Sequence, residues 1–179
     1  AIKPIYKISD IDSFNEFNTH LKENAPKINL IEQGSLIQIK GISHASLDLQ
    51  NAQVVERQAK SAEMALNRYK CPINIDINYN EALSTGSGVT LWAIFSKDPD
   101  EIDASNPIRL GADALGERGK KAEIVGEEAA KNLIKEIESK APVDQHLADQ
   151  LLQFLALAGG KIKASKITAH AKTNIYTID

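Results

Sequence analysis

The most constraining feature of this sequence is a strict two-residue alternation in the segment INIDINYN, residues 73–80. Its apolar positions are Ile73, Ile75, Ile77 and Tyr79. Successive side chains of a β-strand point to opposite faces of the sheet, so a two-residue period is typical of a half-buried strand. The segment therefore predicts a sheet strand with one face in the core and the other in water.

Segments with helical periodicity alternate with strand-like segments along the rest of the chain. Helices are predicted where apolar or small residues recur every three or four positions, and strands where apolar residues alternate or run together. The predicted helices cover residues 10–23, 51–69, 122–139 and 144–158, a last helix starts in TNIYTID, and the other predicted strands cover residues 35–40, 86–95 and 161–170. This order predicts the α/β class, with helices on at least one face of the sheets.

Glycines set several expected boundaries. Gly41 is expected to end the strand SLIQIK and to leave GISHASLDLQ as a loop. Asp144 is expected to cap a helix that ends in a left-handed turn at Gly159 and Gly160. The nearly continuous apolar segment GSGVTLWAIF predicts a turn followed by a central strand that is covered on both faces.

Composition narrows the class of protein. A formal net charge of −3 and a pI near 5.8 give no overall attraction to nucleic acid, so any RNA contact would depend on local groups. The single cysteine, Cys71, can form neither an internal disulfide nor a CxxC metal site. The sequence shows no signal-peptide pattern and no apolar run of about 18 residues. We therefore expect a soluble, cytoplasmic protein that does not associate with membranes, and the pattern does not specify an oligomeric state.

The four histidines are the first candidates for chemistry, because imidazole can act as a base, a ligand or a nucleophile near neutral pH. His20 lies on the polar side of a predicted helix and is interpreted as a solvated side chain. His44 lies in the predicted loop GISHASLD and is interpreted as a structural residue. The sequence has no HxH, HExxH or histidine–cysteine cluster, so it predicts no metal centre in this chain.

The other two histidines lie in more informative surroundings. His146, Asp149 and Gln150 open a predicted helix at spacings that bring their side chains together. A helix N-terminus carries partial positive charge and unpaired N–H groups, which suits a nucleotide phosphate. A capped and solvated first turn explains the same pattern and is favoured on spacing alone. His170 ends a predicted strand just before a helix, where α/β sheets place ligands and reactive groups.

Two glycine-containing segments give weaker signals. GSGVTLW lacks the Lys-Ser/Thr of a P-loop and the spacing of a dinucleotide fingerprint, so Gly86 and Gly88 predict only a turn. In LGADALGERGKK, the basic residues Arg118, Lys120 and Lys121 indicate a solvated start of the following helix. A patch that faces RNA is the alternative for these three residues.

Six segments together resemble one family. They are GISHASL, VVERQAKSA, GSGVTLWA, LGADALGERGKKAEIVGEEAA, HLADQLLQFLALAGG and ITAHAKTNIYTID. In this order they are similar to the archaeal-type RNA 3′-terminal phosphate cyclases, over about residues 28–179. The last two segments are the specific ones.

The resemblance implies roles for particular residues. It implies that the segment HLADQ helps to bind ATP, with its first residue near the adenine and its last two near the rest of the nucleotide. The residues concerned are His146, Leu147, Ala148, Asp149 and Gln150. It further implies that His170, in the context HAKTN, becomes adenylylated. The expected reaction converts an RNA 3′-phosphate to a 2′,3′-cyclic phosphate through a histidine–AMP intermediate and an RNA adenylate.

The resemblance also implies a domain arrangement. Residues 1–40 are expected to end a repeat module like the C-terminal domain of translation initiation factor three, with an N-terminal extension. Residues 41–140 are expected to form an inserted α/β domain with thioredoxin-like element order, and residues 141–179 a last, truncated repeat module. The N-terminal half of the family is absent from this sequence. It is expected to carry the ligands of a divalent metal, Mg or Mn, and further ATP and RNA contacts.

Two other functions fit the same resemblance. A noncatalytic cyclase-like protein could serve as an RNA-binding or ribosome-assembly scaffold, and a fragment could have no activity of its own. The enzyme is favoured over the scaffold because His170 stands beside Thr173 and Asn174 and because HLADQ is intact. RNA 3′-phosphate ends and the absent N-terminal half are therefore the expected partners.

Overall fold

A computed structural model describes residues 19–20, 25–98 and 108–178 of the chain. The strands are β1 (Ile28–Leu30), β2 (Ser35–Ser46), β3 (Ile73–Asn80), β4 (Ser87–Ser96), β5 (Ile108–Leu115) and β6 (Gly160–Ile162). The helices are α1 (Val54–Leu66), α2 (Ala122–Glu138), α3 (Gln145–Ala158) and α4 (Ala169–Ile178), and short 3₁₀ helices flank α1. The mixture of helices and strands confirms the predicted α/β class in its broad form.

The main sheet has four strands in the order β3–β2–β4–β5. Strand β2 pairs with β3 in parallel and with β4 in antiparallel orientation, and β4 pairs with β5 in antiparallel orientation. The connection from β2 to β3 runs through α1, as a parallel pair requires a crossover rather than a hairpin. Strand β4 therefore lies inside the sheet, which confirms its predicted central position.

The core lies between one face of this sheet and the helices α1 and α2. Alternate residues of β4 point into it, since Val89, Leu91, Ala93 and Phe95 are all buried. The helices supply a matching apolar stripe at helical spacing, and both pack against the sheet and against each other. The strand predicted from residues 73–80 lies at the edge of this sheet, where Ile73 and Ile75 pack against the core as expected, whereas Ile77 is 50% exposed.

A close approach of α1 and α2 depends on Gly126. A methyl group added to Gly126 would overlap the backbone carbonyl of Gln58 on α1. The Gln58 side chain is fully buried but not unpaired, because its Oε1 accepts from the Ser43 hydroxyl at 3.0 Å and its Nε2 donates to Ser87 Oγ at 2.9 Å. Such bonds offset the cost of burying an amide in an apolar layer.

The second part of the structure is smaller. Strands β1 and β6 form a two-stranded parallel sheet, and α3 packs against α4. The buried Gln33 side chain ties this part to the end of α2, because its Nε2 donates to the carbonyls of Ile137 and Ala141 at 3.3 and 3.2 Å. A single bridge between Val143 and Ala164 adds a further connection.

The structure differs from the sequence-based expectations in the first half of the sheet. Gly41 does not end its strand, because β2 continues to Ser46, and His44 lies on that strand rather than in a loop. Gly88 is likewise inside β4 and not in a turn. The glycine-containing segment LGADALG, for which no strand was predicted, forms most of β5. Most of the helix predicted over residues 10–23 falls outside the described residues, apart from a helical pair that contains the exposed His20.

Three further expectations were wrong in detail. Strand β4 was expected to be covered on both faces, but within the described residues helices cover only one face of the main sheet, and Thr90 on the other face is exposed. Gly159 ends α3 with a φ of 70° but a ψ of 176°, a positive-φ conformation of glycine that lies outside the left-handed helical region. The strand predicted over residues 161–170 is only three residues long, as β6.

The thiol of Cys71 and the character of the helices can be assessed for the described residues. Burial raises the pKa of the Cys71 thiol, which favours the protonated and less reactive form. No helix in the described ranges combines the length and the apolar character that crossing a bilayer requires.

Candidate functional site

The N-terminus of α3 is formed by a helix cap. The side chain of Asp144 accepts hydrogen bonds from the backbone N–H groups of His146 and Leu147, both at 2.8 Å. This confirms the capping role predicted for Asp144, and it satisfies two of the N–H groups that a helix start leaves unpaired. The cap fixes the direction of the first turn, which carries the HLADQ segment.

The N-terminus of α4 positions His170. Thr168 caps this helix, since its hydroxyl accepts from the Ala171 N–H at 3.1 Å and its carbonyl from the Lys172 N–H at 3.0 Å. His170 is the second residue of α4. The expectation that it closes a strand was therefore wrong, because the sheet pairing of this segment ends at Ala164. The helix does begin here, so the imidazole lies beside a helix N-terminus with its partial positive charge.

Asp149 joins the two helices through its carboxylate. Its Oδ2 lies 2.7 Å from His170 Nδ1, and its Oδ1 accepts from Asn174 Nδ2 at 2.7 Å. The Asp149 side chain is 24% exposed, whereas the His170 side chain is 76% exposed. The carboxylate is thus shielded and held from two sides, while the imidazole that it holds reaches into solvent.

The contact to Asp149 assigns different tasks to the two ring nitrogens of His170. An ionised carboxylate only accepts, so the bond at 2.7 Å requires a proton on Nδ1. In the neutral ring Nε2 then carries the free electron pair, on the side away from Asp149. A carboxylate that orients an imidazole in this way also stabilises the positive charge that forms when the ring takes up an electrophile. The arrangement is that of an oriented nucleophile or base.

The other residues of HLADQ are presented differently. His146 and Gln150 are exposed, and Leu147 is half-buried. Ala148 is only 4% exposed, so it offers almost no surface to a ligand. Among the described residues Asp149 bonds to α4 rather than to His146, although the spacing of the two residues predicted a common cluster.

His146 instead lines a cleft of about 690 Å³. One wall of the cleft is formed by the first turn of α3 and by Ser165 and Lys166, and the opposite wall by β5 and α2. The Ser165 hydroxyl and Glu136 Oε2 are buried without a hydrogen-bond partner among the described residues. Pockets of this volume hold small-molecule ligands, and unpaired buried oxygens can accept from them. The cleft and the Asp149–His170 pair therefore share α3 but involve different residues.

Asn174 and Thr168 were not predicted to act in the site. Asn174 lies one helical turn after His170, a spacing that places both on one face of α4, and this was the available signal. Thr168 precedes the helix as a cap residue should, but the helix was expected to start at Thr173, four residues after its observed start at Ala169.

Metal ligands were expected outside this chain. Within the described ranges, no group of three or more histidine, cysteine, aspartate or glutamate side chains is close enough to hold a metal ion.

Comparison with known proteins places this chain in a family. The profile described as "RNA 3′-terminal phosphate cyclase (RTC), insert domain" matches residues 31–138, more than half of the chain. The chain is 43% identical over 145 residues to an RNA 3′-terminal phosphate cyclase of Pyrococcus abyssi, and 46% identical over 158 residues to one of Sulfurisphaera tokodaii. These alignments cover 81% and 87% of this chain but 39% and 43% of the relatives, so the chain spans about two fifths of their length. The chain therefore belongs to the RNA 3′-terminal phosphate cyclase family.

Proposed function

We propose that this chain carries the nucleophile and part of the ATP site of an enzyme that converts an RNA 3′-phosphate to a 2′,3′-cyclic phosphate with ATP. The single observation that supports this function best is the 2.7 Å contact between Asp149 and His170 Nδ1, with Nε2 left free on an exposed ring. The names of the relatives support RNA 3′-phosphate ends as the substrate class. The cytoplasm is the proposed location.

The first step takes place on His170. Its Nε2 attacks the α-phosphorus of ATP, the bond from that phosphorus to the bridging oxygen of the β-phosphate breaks, and pyrophosphate leaves. The ring gains positive charge as the phosphorus–nitrogen bond forms, and the carboxylate of Asp149 offsets that charge through the proton on Nδ1. We place the phosphate oxygens of ATP near the N–H groups at the start of α4, whose partial positive charge favours the negative charge of the phosphate.

The second step returns the ring to its neutral state. An oxygen of the RNA 3′-phosphate attacks the phosphorus of the histidine–AMP, the phosphorus–nitrogen bond breaks, and the RNA end carries AMP. The neighbouring 2′-hydroxyl then attacks the activated 3′-phosphorus, AMP leaves, and the hydroxyl proton is lost. Both groups belong to one ribose, so proximity supplies much of the acceleration of this ring closure.

ATP binding is proposed to involve the first turn of α3. His146, exposed at the cleft, is placed near the adenine, and Asp149 and Gln150 near the remainder of the nucleotide. Leu147 and Ala148 contribute packing and backbone, in keeping with their burial. A divalent metal, Mg or Mn, is assigned to the part of the protein outside this chain, as the resemblance to the family implies.

The remaining domain assignments are also proposals. Residues 41–140 are proposed to form the inserted α/β domain with thioredoxin-like element order, and the flanking residues 1–40 and 141–179 to belong to repeat modules like the C-terminal domain of translation initiation factor three. The parallel pairing of β1 with β6 supports a single flanking unit built from both ends of the chain. The N-terminal half of the enzyme is the proposed partner that completes this unit.

The test is covalent labelling of the complete enzyme. With ATP labelled in the α-phosphate and a divalent metal, we expect label on His170 in a phosphoramidate that is stable to base and hydroxylamine but lost in acid. His170→Asn keeps a similar size without a nucleophilic ring nitrogen, so labelling should disappear while the circular dichroism spectrum is retained. Full labelling of that variant would refute the assignment and favour the noncatalytic RNA-binding scaffold.

A further inference from the structure

The main sheet presents one face that no helix of the described residues covers. This open face is the side opposite α1 and α2, and it includes Lys40, His44, Thr90, Trp92 and Arg109. Trp92 is the only tryptophan of the chain and lies in the middle of an interior strand. An indole at this position is not needed to fill the core, which lies on the other side of the sheet.

The surroundings of Trp92 leave room for a flat ligand. In the strand register Trp92 pairs with Lys40 on one side and with Gly111 on the other. Gly111 has no side chain, and a methyl group added to it would come within 4 Å only of the Leu91 carbonyl oxygen, at 3.8 Å. The half-buried indole therefore has a cation on one side and open space on the other.

A second ring and a second cation lie on the same face. The imidazole of His44 lies over Gly88, four residues before Trp92 on β4, about 13 Å along a strand. Arg109 is exposed and lies diagonal to Trp92, because it pairs with the next residue but one of β4. Aromatic rings interleaved with cations form the surface on which single-stranded nucleic acids stack their bases.

The open face is continuous with the cleft at the start of α3. Thr90, Gly111 and Asp113 line the cleft, and the first two are direct neighbours of Trp92 in the sheet. Lys135 and Lys166 are exposed at the cleft and can contact phosphates, whereas Asp113 adds an opposing charge there. A mononucleotide such as ATP would be contained in the cleft, so the extension to Trp92 suits a longer chain.

We propose that the open face binds the RNA substrate upstream of its 3′-end, with the strand passing from the cleft over β5 and one base stacked on Trp92. This inference rests on the proposed function, because it assigns RNA as the polymer. Since the net charge of −3 gives no general attraction to RNA, binding relies on local groups, chiefly Lys40 and Arg109 beside the indole. A longer single-stranded end thereby makes more contacts with the inserted domain and binds more tightly.

The test compares RNA lengths with the complete enzyme. Fluorescence anisotropy is measured with labelled 3′-hydroxyl oligonucleotides of three and of twelve nucleotides, which bind without turnover. Trp92→Ala should weaken binding of the twelve-nucleotide RNA roughly tenfold and of the trinucleotide little, while Trp92→Phe should retain most of the affinity. The control is Met64→Ala on α1, whose side chain is 73% exposed on the other side of the sheet, and it should change neither affinity.

Further variants keep the proposal testable if Trp92→Ala does not fold. Lys40→Ala and Arg109→Ala leave the indole in place, and each should reduce the salt dependence of binding to the twelve-nucleotide RNA by roughly 0.7 in log–log slope. Equal loss for short and long RNA, or no loss in any of these variants, would overturn the proposal. If the complete enzyme bound the twelve-nucleotide RNA while another protein segment covered Trp92, the open face would be a protein contact, and the proposal would be overturned. Labelling of His170 by ATP is scored separately, so failure of either proposal is recognised independently.

Discussion

At the scale of single residues, Asp149 has the most consequential position. Its two carboxylate oxygens bind different side chains of α4, so it both fastens α4 to α3 and sets the orientation of His170. Removal of a carboxylate partner leaves an imidazole free to rotate and to exchange its tautomer. The chemical role proposed for His170 thus depends on a residue 21 positions earlier in the chain.

The first prediction concerns Asp149→Asn. An amide has nearly the same shape as the carboxylate, but it carries no charge and its NH₂ group can donate to the ring, which favours the tautomer with the proton on Nε2. In the complete enzyme we expect the single-turnover rate of histidine labelling to fall about 100-fold or more. The control is Asp144→Asn on the same helix, which should have little effect because asparagine caps helices nearly as well as aspartate. Equal rates for the two variants would contradict the role of Asp149.

The residue scale also shows what the sequence could indicate. The cap at Asp144 was predictable because it depends on the backbone of the next three residues. The partner of Asp149 was not predictable from spacing, because periodicity within α3 reports neighbours on that helix and not contacts across the chain. The resemblance to the family drew attention to Asp149 and His170 together, but not to their 2.7 Å contact.

At the scale of elements, a glycine can end a strand or can allow close packing inside one. Gly41 was expected to break a strand, yet it lies inside β2, where an added methyl group would collide with the Leu91 side chain and the Thr90 carbonyl. A close approach, rather than a turn, explains this glycine.

Strand β5 was missed because Gly111, Ala112 and Ala114 give little apolar contrast, and its partner strand supplies the pairing that sequence periodicity does not show. The strongly periodic segments β3 and α2 were predicted within one or two residues.

The second prediction tests the close packing of α1 and α2. Gly126→Ala places a methyl group against the Gln58 carbonyl, so the helices must move apart, and the chain should lose about 1–3 kcal/mol of unfolding free energy. The matched control is Gly86→Ala, since no atom lies within 4 Å of the added methyl group. That variant should be neutral or gain about 0.4–1 kcal/mol by restricting the unfolded chain. Both values come from urea unfolding followed by circular dichroism, and equal stability of the two variants would refute the packing argument.

At the scale of the whole molecule, the chain combines a well-packed part with a sparsely packed one. The main sheet, α1 and α2 share one buried core, whereas the smaller part rests on two three-residue strands and one helix pair. Phe154 and Tyr176 are exposed there, at 52% and 85%. Exposed large apolar side chains of this kind are typical of a surface that packs against further protein. The chain spans about two fifths of the length of its relatives.

The last prediction follows from this division. The chain holds an oriented His170, but its described residues hold no cluster for the metal that would offset the charge of the ATP phosphates. We expect the isolated 179-residue chain neither to cyclise RNA nor to hydrolyse ATP above background. We expect the complete enzyme to convert the RNA 3′-phosphate to the cyclic phosphate. The assay follows a 3′-phosphorylated oligonucleotide whose end becomes resistant to phosphatase when the cyclic phosphate forms. Turnover by the isolated chain that disappears in His170→Asn would contradict this expectation, because it would mean that α3 and α4 alone position ATP and RNA.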